Sequence, residues 1–187
     1  MQLLDAVNTV LPYLGEHTIT YIEGNKHPSV DLILDAINRH KDTLLSNGWW
    51  FNEMTITLPV NTDNMIDVPV DTISAQGLDC YIALDGERFL NLDKGSRFFD
   101  NPITVKIFRD VPFDRLPATA ALLVVYNAAI EVYTGDFGAD NTLSTLSRLA
   151  EQNRVLLNQE NLRNRKYNSR TRTMRNFTRF RHVLRHR

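Results

Sequence analysis

The stretch from position 44 to position 60, LLSNGWWFNEMTITLPV, contains the point at which the apolar pattern of this 187-residue chain changes period. Before Gly48 the apolar residues recur at helical spacing, and after Asn52 they occupy every second position, as in a strand. Glycine readily takes the left-handed conformation that ends many helices, so Gly48 suits the helix exit. The sequence therefore predicts a helix that passes into a sheet through three consecutive aromatic residues.

Two helices are predicted before this point. The second covers Pro28 to Asn47, because proline is tolerated at a helix start and an apolar stripe follows it. The first covers residues 2–14 and ends at Gly15. Pro12 removes one helical hydrogen bond, so we expect the first helix to kink or to stop early.

Residues 50–110 are predicted to form a small, mainly antiparallel β region. The dipeptide Asp85-Gly86 is a hairpin signal, because a two-residue type I′ turn needs positive φ at both central positions. Alternating or short extended patterns predict strands near 54–60, 65–70, 79–84, 88–92 and 103–108.

Two further helices are predicted in the last third of the chain. Ala118 to Thr134 is apolar almost all round, so it should be the most buried helix, and Gly135 is expected to end it. Asp140 or Asn141 is expected to cap the last helix, which fades near position 162.

These elements predict an α+β fold: an antiparallel helical bundle with an inserted small, mainly antiparallel β region and a basic C-terminal tail. We expect residues 1–50 and 115–162 to form the bundle. Residues 51–114 form the inserted β region, and residues 163–187 form the Arg-rich tail.

The charge is divided unevenly along the chain. All 22 acidic residues precede position 163, so residues 1–162 carry a net charge of −11, whereas residues 163–187 carry ten basic residues and no acidic one. Such asymmetry favours a tail that binds nucleic acid, a membrane or a protein partner over one that only aids solubility.

The tail also carries an apolar stripe at helical spacing, flanked by arginines, so it is a candidate partner-binding segment. Docking in a protein groove, on a membrane and along a phosphate backbone all remain open on this pattern. The candidate residues are Arg170, Arg172, Met174, Arg175, Phe177, Arg179, Phe180, Arg181, Leu184 and Arg185.

Catalytic and cofactor signatures are missing from the sequence. It has no phosphate-binding glycine loop, no GxSxG and no HExxH, and Asp136-Phe137-Gly138 is a chance copy of a kinase triplet. The single cysteine excludes an internal disulfide, no apolar run spans a membrane, and no secretory signal is visible. We therefore expect no cofactor, no metal, no membrane and no enzyme, and assembly in a reducing cytoplasm.

The aromatic cluster Gly48-Trp49-Trp50-Phe51 has two readings. Aromatic side chains bury large areas and dominate both cores and interfaces. The cluster is therefore either a core plug that joins the helices to the β region or an exposed subunit contact.

Several short motifs occur in a familiar order, and together they resemble the tail tubular protein A family of short-tailed bacteriophages. The resemblance covers roughly residues 5–165, whereas Pro12 and the Arg-rich end have no counterpart in it. The motifs are Ala6-Val7-Asn8, Leu14-Gly15-Glu16, Ile22-Glu23-Gly24, Gly48-Trp49-Trp50-Phe51-Asn52, Ile103-Thr104-Val105, Arg109, Phe113 and Leu116-Pro117.

The resemblance implies a structural virion protein, a head-to-tail adaptor. The family forms a twelve-membered ring between the portal at the capsid vertex and the tail nozzle, with tail fibres attached near the lower junction. Its channel conducts double-stranded DNA during ejection. The acidic body agrees with such a channel, because it repels phosphates rather than holding them.

Two other functions are weighed against this one. In the first, the tail grips nucleic acid, and binding would weaken steeply with salt. The second is a glycan hydrolase that uses two carboxylates, for which no pair stands out by motif.

Overall fold

The computed structural model describes residues 1–24 and 27–165, which form an α+β fold as predicted. The helices are α1 (Leu3–Val10), α2 (Pro28–Ser46), α3 (Ala118–Phe137) and α4 (Asn141–Asn164). The strands, all between α2 and α3, are β1 (Glu53–Leu58), β2 (Thr72–Gly77), β3 (Ile82–Asp85), β4 (Arg88–Asn91) and β5 (Ile103–Arg109).

The first helix stops early, as the position of Pro12 predicts. α1 ends at Val10, and residues Leu11–Leu14 continue as one turn of 3₁₀-helix with Pro12 in its first turn. The missing N–H of Pro12 costs nothing there, because the first N–H groups of a helix have no partner inside it. Gly15, at φ +75°, ends the turn and donates its N–H to the carbonyl of Pro12.

α3 is the central helix of the bundle. It packs against α1, α2 and α4, and its buried residues surround the helix axis. Its length and mean hydropathy would suit a membrane span, but its apolar surface is covered by the neighbouring helices, as in the core helix of a bundle. The buried side chains are Ala120, Ala121, Leu123, Val124, Val125, Ala128, Ala129, Val132 and Tyr133.

The larger sheet has the order β1-β5-β2, with both pairs antiparallel. β5 is its central strand, and its alternate residues Ile103, Val105 and Ile107 are buried. They form a second apolar cluster with Ile66 and with side chains near the β3–β4 hairpin, separate from the cluster of the helices. The sheet therefore has a core of its own while it contacts α2 through β2 and β5.

Three details of the sequence prediction are wrong. Residues 65–70 form no strand, apart from one isolated bridge at Asp67; the strand lies at 72–77 instead. The hairpin turn is Gly86-Glu87 rather than Asp85-Gly86, because Asp85 pairs with Arg88. Only Gly86 has positive φ there, at +66°, which fits a turn with glycine at its first central position.

The third error concerns the end of α3. Gly135 lies inside the helix, which continues to Phe137 and ends at Gly138 with φ +76°. An internal glycine costs a helix only about 1 kcal/mol relative to alanine. The stacking of Phe137 on Tyr133, with ring centroids 5.0 Å apart, supports the extra turn.

Asp140 caps α4, which confirms one of the two predicted candidates, Asp140 and Asn141. Its Oδ1 accepts from the N–H of Leu143 at 3.0 Å, and its Oδ2 accepts from the hydroxyl of Tyr133 at 2.6 Å. The Tyr133 hydroxyl first, and the Leu143 N–H second, hold the pKa of the Asp140 carboxyl below its ordinary value. The cap therefore joins the end of α3 to the start of α4.

The hydrogen bond from Tyr133 can be tested by titration. Because the folded-state pKa of Asp140 lies below the unfolded value, the cap stabilises fully above the unfolded pKa and is lost as pH falls through the folded one. We expect Tyr133→Phe to move the NMR titration midpoint of the Asp140 carboxyl upward. The Glu151 carboxyl, whose pKa is lowered by Arg154, serves as the control and should not move. An unchanged Asp140 midpoint would contradict the assignment.

Candidate functional site

The aromatic cluster lies where α2 ends and β1 begins, and we call residues 48–53 the junction. Gly48 and Trp49 are buried, whereas Trp50 and Phe51 are half-buried. The indole N–H of Trp49 donates to the carbonyl of Leu44 at 2.7 Å and so satisfies one carbonyl in the last turn of α2. Trp50 and Phe51 pack edge to face, with ring centroids 5.0 Å apart.

Gly48 is required at this position for two reasons. Its φ is +73°, a conformation that side chains other than glycine rarely adopt. A Cβ atom there would also lie 2.2 Å from Cε1 of Phe108, a residue of the central strand β5. The exit of α2 therefore approaches the sheet so closely that only a residue without a side chain fits.

Asn52 makes the polar connections of the junction. Its side chain is 3% exposed. Its Oδ1 accepts from the backbone N–H of Trp49 at 2.8 Å, and its Nδ2 donates to the carbonyls of Leu45 at 2.9 Å and Arg109 at 3.1 Å. The backbone carbonyl of Asn52 accepts from the N–H of Arg109 at 2.9 Å. One buried side chain thus ties the end of α2, the aromatic turn and the end of β5 together.

The last turn of α4 is held at the same junction. The Asn161 side chain accepts from the backbone N–H of Trp50 at 3.2 Å. Arg165 donates to the carbonyl of Gly48 at 3.1 Å and forms an ion pair with Glu53. The other oxygen of Glu53 lies 2.8 Å from the ammonium of Lys106 on β5. The carboxylate of Glu53 therefore bridges two cations, and it holds Arg165, where the basic segment begins, at the junction.

The ten predicted partner-binding residues between 170 and 185 lie outside the described residues. The described part of the chain ends at Arg165, which lies beside the junction and precedes these ten residues. The predicted residues Gly48, Trp49, Trp50 and Phe51 are brought together with Asn52, Glu53 and Arg165, to which the sequence analysis gave no role. The one sequence feature that could have indicated the role of Asn52 is its position, as a polar residue directly after an aromatic run and before a strand.

A groove of about 510 Å³ lies between α2, α3 and α4, beside Trp49. Its polar side chains are largely paired: Arg154 donates to Glu151, and His40 lies 2.9 Å from Glu131. Glu131 also accepts from Arg39, and this hydrogen bond is the main reason that the pKa of Glu131 is lowered. Within residues 1–24 and 27–165, no three His, Cys, Asp or Glu side chains are grouped as metal ligands.

Replacement of Asn52 tests the junction. Asn52→Ala leaves the Trp49 N–H and the Arg109 carbonyl without this partner, and each buried unpaired group costs about 1–3 kcal/mol. We expect the free energy of unfolding to fall by about 2–4 kcal/mol, measured by urea denaturation.

Asn153→Ala is the matched control. Asn153 is also a buried asparagine, but it makes a single hydrogen bond, to the Leu149 carbonyl one turn earlier in α4. Its loss should cost about 1 kcal/mol. Equal losses for the two variants would show that Asn52 does not organise the junction.

Comparison with known proteins extends over both the bundle and the sheet. Residues 4–167 match a family model described as tail tubular protein. The chain is also 31% identical over 187 residues to tail tubular protein A of Klebsiella phage KP34, and the alignment covers 98% of this chain and 100% of that relative.

The match includes the junction, all four helices and the five strands, since it runs from α1 to beyond the end of α4. The family description and the name of the relative both denote a tubular protein of a phage tail. The chain therefore belongs to the tail tubular protein family and is a structural component of a bacteriophage tail.

Proposed function

We propose that the chain is one subunit of a closed ring of twelve copies, a head-to-tail adaptor that joins the portal to the tail nozzle. The observation that carries this proposal is the family match over residues 4–167, together with the relative aligned along its whole length. The ring belongs at the portal vertex of the virion, is assembled in the host cytoplasm, and carries tail fibres near its lower junction.

The charge of the body supports a channel for double-stranded DNA. Residues 1–162 carry a net charge of −11, and several carboxylates in the described part of the chain are exposed, among them Asp63, Asp114 and Asp136. A wall of this sign repels phosphates, so DNA would pass without sequence-specific binding or retention.

The basic segment supports a docking role toward a protein. We propose that residues 163–187 bind the portal or a neighbouring subunit, through the arginines and apolar residues between 170 and 185. Arg165 is already paired with Glu53 at the junction, so the segment starts from a fixed position on the body. Segments of this charge from every subunit of one ring would repel each other unless an acidic surface faced them.

The basic segment is tested by co-sedimentation with portal rings of the same phage. The comparison uses the full chain, a chain ending at Arg165, and a full-length variant with the eight basic residues of 166–187 replaced by glutamine. Ending at Arg165 keeps the contacts with Gly48 and Glu53. We expect both altered chains to bind the portal at least tenfold more weakly because the cationic contacts are lost, while circular dichroism stays unchanged. Unchanged portal binding would contradict the docking role.

A parallel series with duplex DNA distinguishes the adaptor from a nucleic-acid-binding protein. An adaptor should bind the portal saturably and leave DNA in the supernatant at moderate salt. Binding of DNA alone, with an affinity that falls by nearly one logarithmic unit per phosphate contact for each tenfold rise in salt, would overturn the adaptor function.

A further inference from the structure

The side of α4 that faces away from α3 carries exposed apolar side chains among polar and basic ones. Val155, Leu156 and Leu162 are 44%, 48% and 53% exposed. Gln152 and Gln159 lie on the same side, one turn from these residues. Both acidic residues of α4 already have partners: Glu151, one turn before Val155 at the edge of this side, accepts from Arg154, and Glu160 accepts from Thr119. We call the exposed set from 148 to 163 on this side the outer face of α4.

Two guanidinium groups flank this face. Arg148 lies about two turns before Val155, and Arg163 lies two turns after Leu156. Both are exposed, and neither has an ion-pair partner within the described part of the chain. The outer face of α4 thus combines exposed Leu and Val side chains with unneutralised positive charge.

The side of α2 that faces away from α3 has the opposite charge. Asp31, Asp35 and Asp42 are exposed and lie along one stripe, spaced by four and seven residues. Among the described residues, Asp31 and Asp35 have no ion-pair partner, whereas Asp42 lies 3.5 Å from Lys41. Leu32, beside the stripe, is 52% exposed. We call these residues the acidic row of α2.

The two faces lie on different flanks of the bundle. α3 packs against both α2 and α4, and the groove between these two helices is lined by other residues, including Thr43 of α2 and Ser147 of α4. The outer face of α4 and the acidic row are therefore both turned away from α3 and from the groove. A subunit with two different, complementary faces on separate flanks can make head-to-tail contacts, which form a ring when the rotation between subunits closes and an open filament when it does not.

We propose that the outer face of α4 of one subunit packs against the acidic row of α2 of the next subunit, and that this contact repeats around the ring. This inference rests on the proposed ring and identifies the contact between neighbouring subunits, which we call the seam. Arg148 and Arg163 face the carboxylates, and Val155, Leu156 and Leu162 cover Leu32. An α4-to-α4 contact would instead be isologous, would bring like charges together, and would end at a dimer.

The seam is tested by reversing the charge of each face in the full-length chain. One variant carries Arg148→Glu and Arg163→Glu, a second carries Asp31→Arg and Asp35→Arg, and a third carries all four changes. All four positions are exposed, so circular dichroism should match the unaltered chain, while thermal unfolding should shift slightly downward because Asp31 lies in the first turn of α2 and Arg163 in the last turn of α4. A matched control carries Asp63→Arg and Asp114→Arg, two exposed carboxylates outside both faces.

Assembly is measured by native mass spectrometry and sedimentation, with and without portal rings. We expect either two-site variant to need at least tenfold more protein to assemble. The four-site variant should return to within about threefold of the unaltered chain, because its charges are exchanged and again complementary. The control should assemble normally.

The outcomes separate the seam from the proposed function. If the unaltered chain forms rings and both two-site variants also do, the seam is wrong and the ring stands. Loss of assembly in both two-site variants without recovery in the four-site variant also overturns the pairing of these two faces. An unaltered chain that stays monomeric even with portal rings overturns the ring and the seam together.

Discussion

The buried amide of Asn52 fixes how the helices meet the sheet. A buried polar side chain is stable only when its donors and acceptors are paired, and pairing inside a protein requires definite positions of the partners. The three partners of this amide come from the end of α2, the aromatic turn and the end of β5. Gly48 allows the close approach that these bonds need, because nothing on its α-carbon collides with Phe108. β1 begins directly after this arrangement and pairs antiparallel with β5.

The packing on either side of this junction fits a division of the chain into a bundle and an insertion. One cluster of buried side chains runs through the four helices and includes Trp49, while the other lies within the β region and includes Val105 and Phe89. We propose that residues 1–50 with 115–162, residues 51–114 and residues 163–187 are the structural units. The junction belongs to the first two and anchors the third, since Arg165 contacts both Gly48 and Glu53.

Sequence patterns within a single helix predicted that helix well, but they did not predict the contacts between elements. Periodicity and caps gave all four helices, including the early stop at Pro12 and the cap at Asp140. The strand at 72–77 was missed because its sequence, TISAQG, lacks alternating large apolar residues; its pairing with β5 decides its conformation. The role of Asn52 was equally hidden, since its partners lie 3, 7 and 57 positions away. The predicted contact residues between 170 and 185 lie outside the described part of the chain.

A subunit with a body charge of −11 raises the question of how copies of it could adhere in a ring. Net charge acts at long range, but at physiological ionic strength screening reduces it beyond about 8 Å. Local complementarity therefore decides whether two surfaces attract. The acidic row of α2 is a surface that would repel a like-charged neighbour, and the outer face of α4, with Arg148 and Arg163 exposed, has the charge to cover it. In the proposed ring, covering the row would remove repulsion between subunits and would leave the other exposed carboxylates free to face the proposed DNA channel. Assembly and DNA passage then make compatible demands on the same acidic body, because each uses a different part of it.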